Sequence, residues 1–127
     1  MVESINSRVD ISVKGTSFAG TSNYGDILVG DKGFEFYNTR DYKKYIQIPW
    51  DEVECVIVSV LFKGKWIPRY AVKTKRHGTY IFASKETKKV LRTMREYVGA
   101  NNIVKSLTFL QVLGRGLKNI FVKKIRL

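Results

Sequence analysis

The sequence predicts a mainly β domain of the α+β class: an antiparallel barrel or sandwich capped by one helix, with a C-terminal helical extension. Three observations predict it. Period-two alternation of apolar and polar residues recurs in short runs between residues 9 and 83, short turn-forming stretches separate those runs, and a 3.6-residue period begins only after residue 84. The chain has 127 residues, 44% of them hydrophobic and 13% aromatic, which is enough for one domain with its own core.

Val9, Ile11 and Val13 alternate with polar neighbours and read as a first strand with one wet face. A Gly/Ser/Thr/Asn loop follows over 15–24. Ile27 and Val29 begin a hairpin that turns through Gly30, Asp31, Lys32 and Gly33 into Phe34, Glu35, Phe36 and Tyr37. A charged loop over 38–44 leads to Tyr45–Ile48, which Pro49 closes because it has no N–H for a central ladder. In 54–62, Val56, Val58, Val60 and Phe62 share one face and Cys55, Ile57 and Leu61 the other. A strand apolar on both faces needs cover on both, and Cys55 is expected within it as a core thiol. Alternation resumes over 67–75, with Arg69, Lys73 and Lys75 on one side and Tyr70, Val72 and Thr74 on the other. Arg76, His77 and Gly78 turn the chain into 79–83. That makes about seven strands on short connections, the pattern of an antiparallel sheet folded into a sandwich or barrel.

Ser84 is a candidate N-cap for a helix over 85–98, since its hydroxyl suits a free first-turn N–H. Thr87, Val90, Leu91, Met94 and Val98 form its apolar stripe, and Lys85, Lys88, Arg92 and Arg95 a cationic one. A domain over 1–98 is therefore expected, followed by a basic amphipathic helical tail over 99–127. On a wheel from Ile103, the side chains of Leu107, Phe109, Leu110, Leu113, Leu117, Ile120 and Phe121 share an apolar arc, while Arg115, Lys118 and Lys123 lie elsewhere. Gly114 and Gly116 each weaken a helix interior by about 1 kcal/mol relative to Ala, so a break near Arg115 or ordering on a partner is expected.

Charge is distributed unevenly along the chain. Residues 1–60 sum to −3 and residues 61–127 to +15, and the last 29 residues hold six cations and no acid. Such asymmetry predicts a surface attractive to phosphates or acidic proteins. The candidate basic face is Lys63, Lys65, Trp66, Arg69, Lys73, Lys75 and Arg76. The candidate tail contacts are Leu107, Phe109, Leu110, Leu113, Arg115, Leu117, Lys118, Ile120, Phe121 and Lys123. A phosphoinositide site in the first hairpin loop is disfavoured, because 15–24 contains no Lys or Arg.

Catalytic constellations are missing. His77 is the only histidine and falls in a turn, one cysteine and one histidine make a poor zinc set, and Gly114-Arg115-Gly116-Leu117-Lys118 lacks the spacing of a phosphate-binding loop. Asp51, Glu52 and Glu54 read as a turn and a solvated strand start. The protein is read as non-enzymatic, with no cofactor and no metal. No stretch approaches the roughly 18–20 apolar residues of a membrane-spanning helix, and MVESINSRVD lacks a signal peptide's apolar run, so a cytoplasmic protein is expected.

Gly25-Asp26-Ile27-Leu28-Val29, Tyr45-Ile46-Gln47-Ile48-Pro49-Trp50 and Gly78-Thr79-Tyr80-Ile81-Phe82, followed by one amphipathic helix, resemble the pleckstrin-homology and GRAM superfold. The runs from Val29 to Asn38 and from Phe62 to Arg69 are similar to the ManO-like family of small Firmicutes proteins. That resemblance implies an accessory or regulatory protein of a mannose-type phosphotransferase sugar transporter. It would dock on the cytoplasmic face of the enzyme IIC and IID membrane subunits, peripheral to the inner face of the membrane, with an anionic lipid surface as a further contact. The alternative is a nucleic-acid-binding regulator of the mannose operon, since the basic face interleaves Trp66 and Tyr70 with its cations as single-strand grooves do.

Overall fold

The computed structural model describes residues 3–19, 21–41, 43–61, 66–105 and 123–124, with the backbone alone at 60, 61, 66, 68, 123 and 124. The described strands are β1 (Val9–Ser17), β2 (Asn23–Gly30), β3 (Gly33–Asn38), β4 (Tyr45–Pro49), β5 (Val53–Leu61), β6 (Trp66–Thr74), β7 (Thr79–Ser84), β8 (Ile103–Lys105) and β9 (Lys123–Lys124). One α-helix, α1 (Thr87–Val98), lies between β7 and β8. All nine strands belong to one sheet in the order β4-β3-β2-β1-β7-β6-β5-β8-β9. The mainly β, α+β class holds. A closed barrel does not: among the described strands β4 and β9 are free edges, so the sheet is open.

The sheet nevertheless folds over on itself. β3 and β7 are separated by β2 and β1, about 14 Å if the sheet were flat. Yet the rings of Phe34 and Phe82 lie 4.7 Å apart, and Phe34 meets Tyr70 of β6 edge-on at 6.3 Å. The bend runs along β1, which pairs with β2 over its whole length but with β7 only from Gly15 to Ser17. Gly15 permits the bend, because a Cβ there would lie 2.3 Å from Ile27 Cδ1 and 2.7 Å from the Ala83 carbonyl oxygen.

One core fills the fold. Ile27, Val29, Phe34, Val56, Val58, Tyr70, Val72 and Phe82 are fully buried, and α1 adds Val90, Leu91 and Met94. The helical stripe read from the sequence is the face that plugs the sheet. The second face of β5 is covered as well: Ile57, Ala71 and Val104 form a smaller cluster with Cys55 and Ile81 against it. Cys55 is half-buried there, not fully enclosed.

Three expectations are corrected. The helix begins at Thr87, with Glu86 in the left-handed region at φ 50° and no side-chain cap. Ser84 does not cap it, because its Oγ is engaged with the hydroxyl of Tyr70 at 3.1 Å, and a buried phenol needs a partner. The helix expected from Ile103 does not start there. Ile103–Lys105 is a strand running parallel to β5, with Val56 opposite Ile103 and Ile57 opposite Val104. After Gly99 ends α1 at φ 87°, these β-branched residues return to the exposed edge of β5, and Ile103 and Val104 are buried. So the sheet is not purely antiparallel. Lys123 lies in β9, paired with Lys105. The remaining tail contacts, Leu107 to Phe121, lie outside the described residues.

Candidate functional site

On β6 the alternation places side chains as expected. Tyr70 and Val72 are buried, Arg69 is exposed and Lys73 half-exposed. The Arg69 guanidinium lies 4.4 Å over the ring of Phe18, held by a cation–π contact. Lys73 Nζ is 2.8 Å from Glu54 Oε2, and Arg76 is paired with Glu52, whose backbone carbonyl accepts the Lys75 N–H at 2.9 Å. The Arg76 contact holds the Glu52 carboxyl below its ordinary range, and Glu54 raises the Lys73 ammonium. The basic face is therefore partly neutralised. Antiparallel pairing of β5 and β6 brings the acid-rich start of one strand to the basic end of the other. Lys63 and Lys65 lie outside the described residues, and Trp66 is described only as backbone opposite Leu61.

A stronger positive surface lies on α1. Burial of Val90, Leu91 and Met94 forces Lys85, Lys88, Lys89 and Arg92 outward, with Arg95 half-exposed beside them. Among the described residues the ion pairs are Arg8 with Asp10, Lys14 with Asp26, Lys73 with Glu54 and Arg76 with Glu52. None involves α1. At the C-terminal half of the helix a shallow cleft of mixed charge is lined by Arg8, Asp10, Lys89, Arg92, Glu96 and Tyr97. Arg8 reaches Asp10 with Nε at 2.9 Å and Tyr97 Oη with Nη2 at 3.1 Å, while the Tyr97 hydroxyl donates to Asp10. Those bonds, first that of Tyr97 and then that of Arg8, hold the Asp10 carboxyl below its ordinary value. The Tyr97 ring stacks on Trp50 at 5.1 Å and 6°. Arg8 and Lys89 were missed by sequence reasoning. Lys89 was legible as the residue one turn before Arg92, but nothing local ties Arg8 to a helix 80 positions on.

His77 is exposed in the β6–β7 turn, where its N–H donates to Thr74 Oγ1 at 2.9 Å. Burial raises the Cys55 thiol pKa, the opposite of an activated nucleophile. Among the described residues no three His, Cys, Asp or Glu side chains gather as a metal site, and no helix is long and apolar enough to cross a membrane.

The fold and this surface define a small mainly β domain with a cationic helix across its core. A family model described as "Domain of unknown function (DUF956)" matches residues 1–117, and the chain belongs to that family. No curated protein matches. Among solved structures, the chain is similar to the C-terminal domain of an unknown protein from Leishmania infantum, with a TM-score of 0.61 at 15% identity. The match covers 71% of this chain and 83% of that one. Likeness at that identity speaks for the fold alone.

Proposed function

We propose that the protein is a non-enzymatic accessory or regulatory protein of a mannose-type phosphotransferase sugar transporter, docked on the cytoplasmic face of its enzyme IIC and IID subunits. The family resemblance of the Val29–Asn38 and Phe62–Arg69 runs supports the transporter. The observation that carries docking is the outer face of α1, where Lys88, Lys89 and Arg92 outnumber Glu96 and form no ion pair among the described residues. Such a face steers encounter with an acidic surface and sets the association rate and its salt dependence. Anionic lipid next to the transporter would add to the same attraction.

The test is co-purification with the IIC and IID subunits from membranes. Reversal of Lys88, Lys89 and Arg92 to Glu is expected to abolish recovery, whereas Lys73→Glu, already compensated by Glu54, is expected to weaken it far less. Full recovery of the triple reversal would refute docking through α1, and capture of partners other than IIC and IID would refute the transporter. The reading as a nucleic-acid regulator has less support, because Tyr70 is fully buried and Lys73 and Arg76 are paired with acids. Steeply salt-dependent binding to DNA or RNA, with indifference to the membrane complex, would favour it instead.

A further inference from the structure

β1, β2, β3 and β4 all turn at one end of the folded sheet, and a cleft of about 440 Å³ opens there. That volume falls within the roughly 300–1,000 Å³ of small-molecule sites. Phe36 closes it towards the core, 2% exposed and tilted against Phe82 at 6.1 Å.

Ser17 is the unusual element of the wall. Ile11, Val13, Gly15 and Ser17 occupy the inward positions of β1, so a hydroxyl stands where the pattern favours an apolar group. Ser17 is 2% exposed. Its Oγ accepts the Ala19 N–H at a long 3.4 Å, and among the described residues its own O–H meets no acceptor. A buried donor without an acceptor is uncommon in a native fold.

The rim is held in place. Asn38 accepts the N–H groups of Arg40 and Asp41 at 2.8 and 3.0 Å and donates to Asn23 Oδ1 at 3.2 Å. Ile46, cross-strand from Phe36, supplies the apolar side of the lining, and Lys44 is its one charged residue, with no ion pair among the described residues.

An apolar floor of Phe36 and Ile46, one ammonium, the hydroxyls of Ser17 and Thr21 and no carboxylate favour one chemistry. We propose that this cleft binds a small organic anion, its apolar or aromatic body over Phe36 and Ile46, its carboxylate or phosphate head on Lys44 and the Ser17 hydroxyl. The site is distinct from the α1 face and independent of the docking reading.

Benzoate and phenyl phosphate, titrated into the full chain and followed by amide NMR, test it. Both are expected to shift the backbone amides of Ser17, Asn38 and Lys44, and the one that binds tighter reports whether the head is carboxylate or phosphate. Lys44→Gln is expected to weaken binding about tenfold and Ser17→Ala severalfold, as lost charge-assisted hydrogen bonds do. Lys32→Gln, at the opposite end of the β2–β3 hairpin from the cleft, is expected to leave binding of both probes unchanged. Ser17→Leu fills the cleft and is expected to abolish binding, and if it fails to fold, Ser17→Ala still decides. The proposal is overturned if neither probe moves these amides at about 10 mM, a range in which fragment-sized ligands still register. It is equally overturned if Lys44→Gln and Ser17→Ala bind as tightly as the native chain, or if the shifts fall on α1.

Discussion

Replacing Glu35 by Gln is the sharpest stability test the structure offers. Its carboxylate is fully buried, makes no ion pair among the described residues, and is held entirely by donors. Oε1 accepts from the Ser4 hydroxyl and from Asn6 Nδ2 at 2.6 Å. Oε2 accepts from the Ile5 N–H at 3.1 Å, from the Tyr37 hydroxyl, and from Gln47 Nε2 at a long 3.4 Å. These bonds tie the N-terminal residues across β3 and β4. An amide keeps the size but turns one oxygen into a donor that faces donors. If the NH₂ takes the Oε1 place, the Ser4 hydroxyl can rotate to accept, but Asn6 is left confronted. If it takes the Oε2 place, Ile5 and Tyr37 both lose their acceptor. Hydrogen bonds to a charged group contribute about 1.5–3 kcal/mol each, so the less damaging arrangement costs about 3 kcal/mol. For a domain of this size that lowers Tm by roughly 10 °C. Thermal melting by circular dichroism measures it, and faster hydrogen exchange at the Ile5 amide locates it. The Tyr37 hydroxyl, whose pKa is raised first by burial and then by its bond to Glu35, is expected to titrate closer to an ordinary tyrosine in the variant. A loss under about 1 kcal/mol, with Ile5 exchange unchanged, would show that the carboxylate is not what holds the N-terminal segment.

Three further outcomes are expected. Leu91→Asp places an unpaired charge in the fully buried stripe of α1, at a cost of several kcal/mol comparable to the whole stability, so cooperative melting is expected to disappear; a variant melting as the native chain does would remove α1 from the core. A chain ending at Val98 loses buried Ile103 and Val104 and leaves β5 without its parallel neighbour, about 3–5 kcal/mol of apolar burial, whereas one ending at Lys105 is expected to melt much closer to the full chain; equal melting of the two would refute a structural role for β8. Asp31 accepts from the Ser7 hydroxyl and the backbone N–H of Arg8, which hold its carboxyl down to about 2. A depressed pKa stabilises the fold above the unfolded value, and that contribution is lost as pH falls from about 4 towards 2. The Tm difference between the native chain and Asp31→Asn is expected to vanish across that window, and a constant difference would refute it.

How far each feature was legible depends on how local its cause is. Period-two runs, glycine turns and the stripe of Val90, Leu91 and Met94 are set by the chirality and pleat of the backbone together with the hydrophobic effect, so the seven strands up to residue 84, their hairpins and the buried face of α1 followed from the sequence, whereas β8 and β9 did not. The two apolar faces of β5 likewise announced that both would be covered. The cover itself was not legible: Val104 reaches Ile57 by a return to the β5 edge after α1, and the same β-branched pair also fits an apolar helical arc. Alternation placed Glu35 opposite Phe34 and Phe36 on a face that reads as wet. Only the fold laid residues 4–6 over it and turned a solvated position into a buried carboxylate. Charge followed the same rule. The sum of +15 was fixed by composition, but whether a given lysine stays available was decided by pairing: Lys73 and Arg76 meet Glu54 and Glu52 across a hairpin, while Lys88 and Lys89 of α1 form no ion pair among the described residues. Sequence alone determines which apolar side chains must leave water, because that is a property of each residue and its period. Tertiary structure alone decides which charges meet, because an electrostatic contact acts over a few ångströms and the chain brings together residues tens of positions apart.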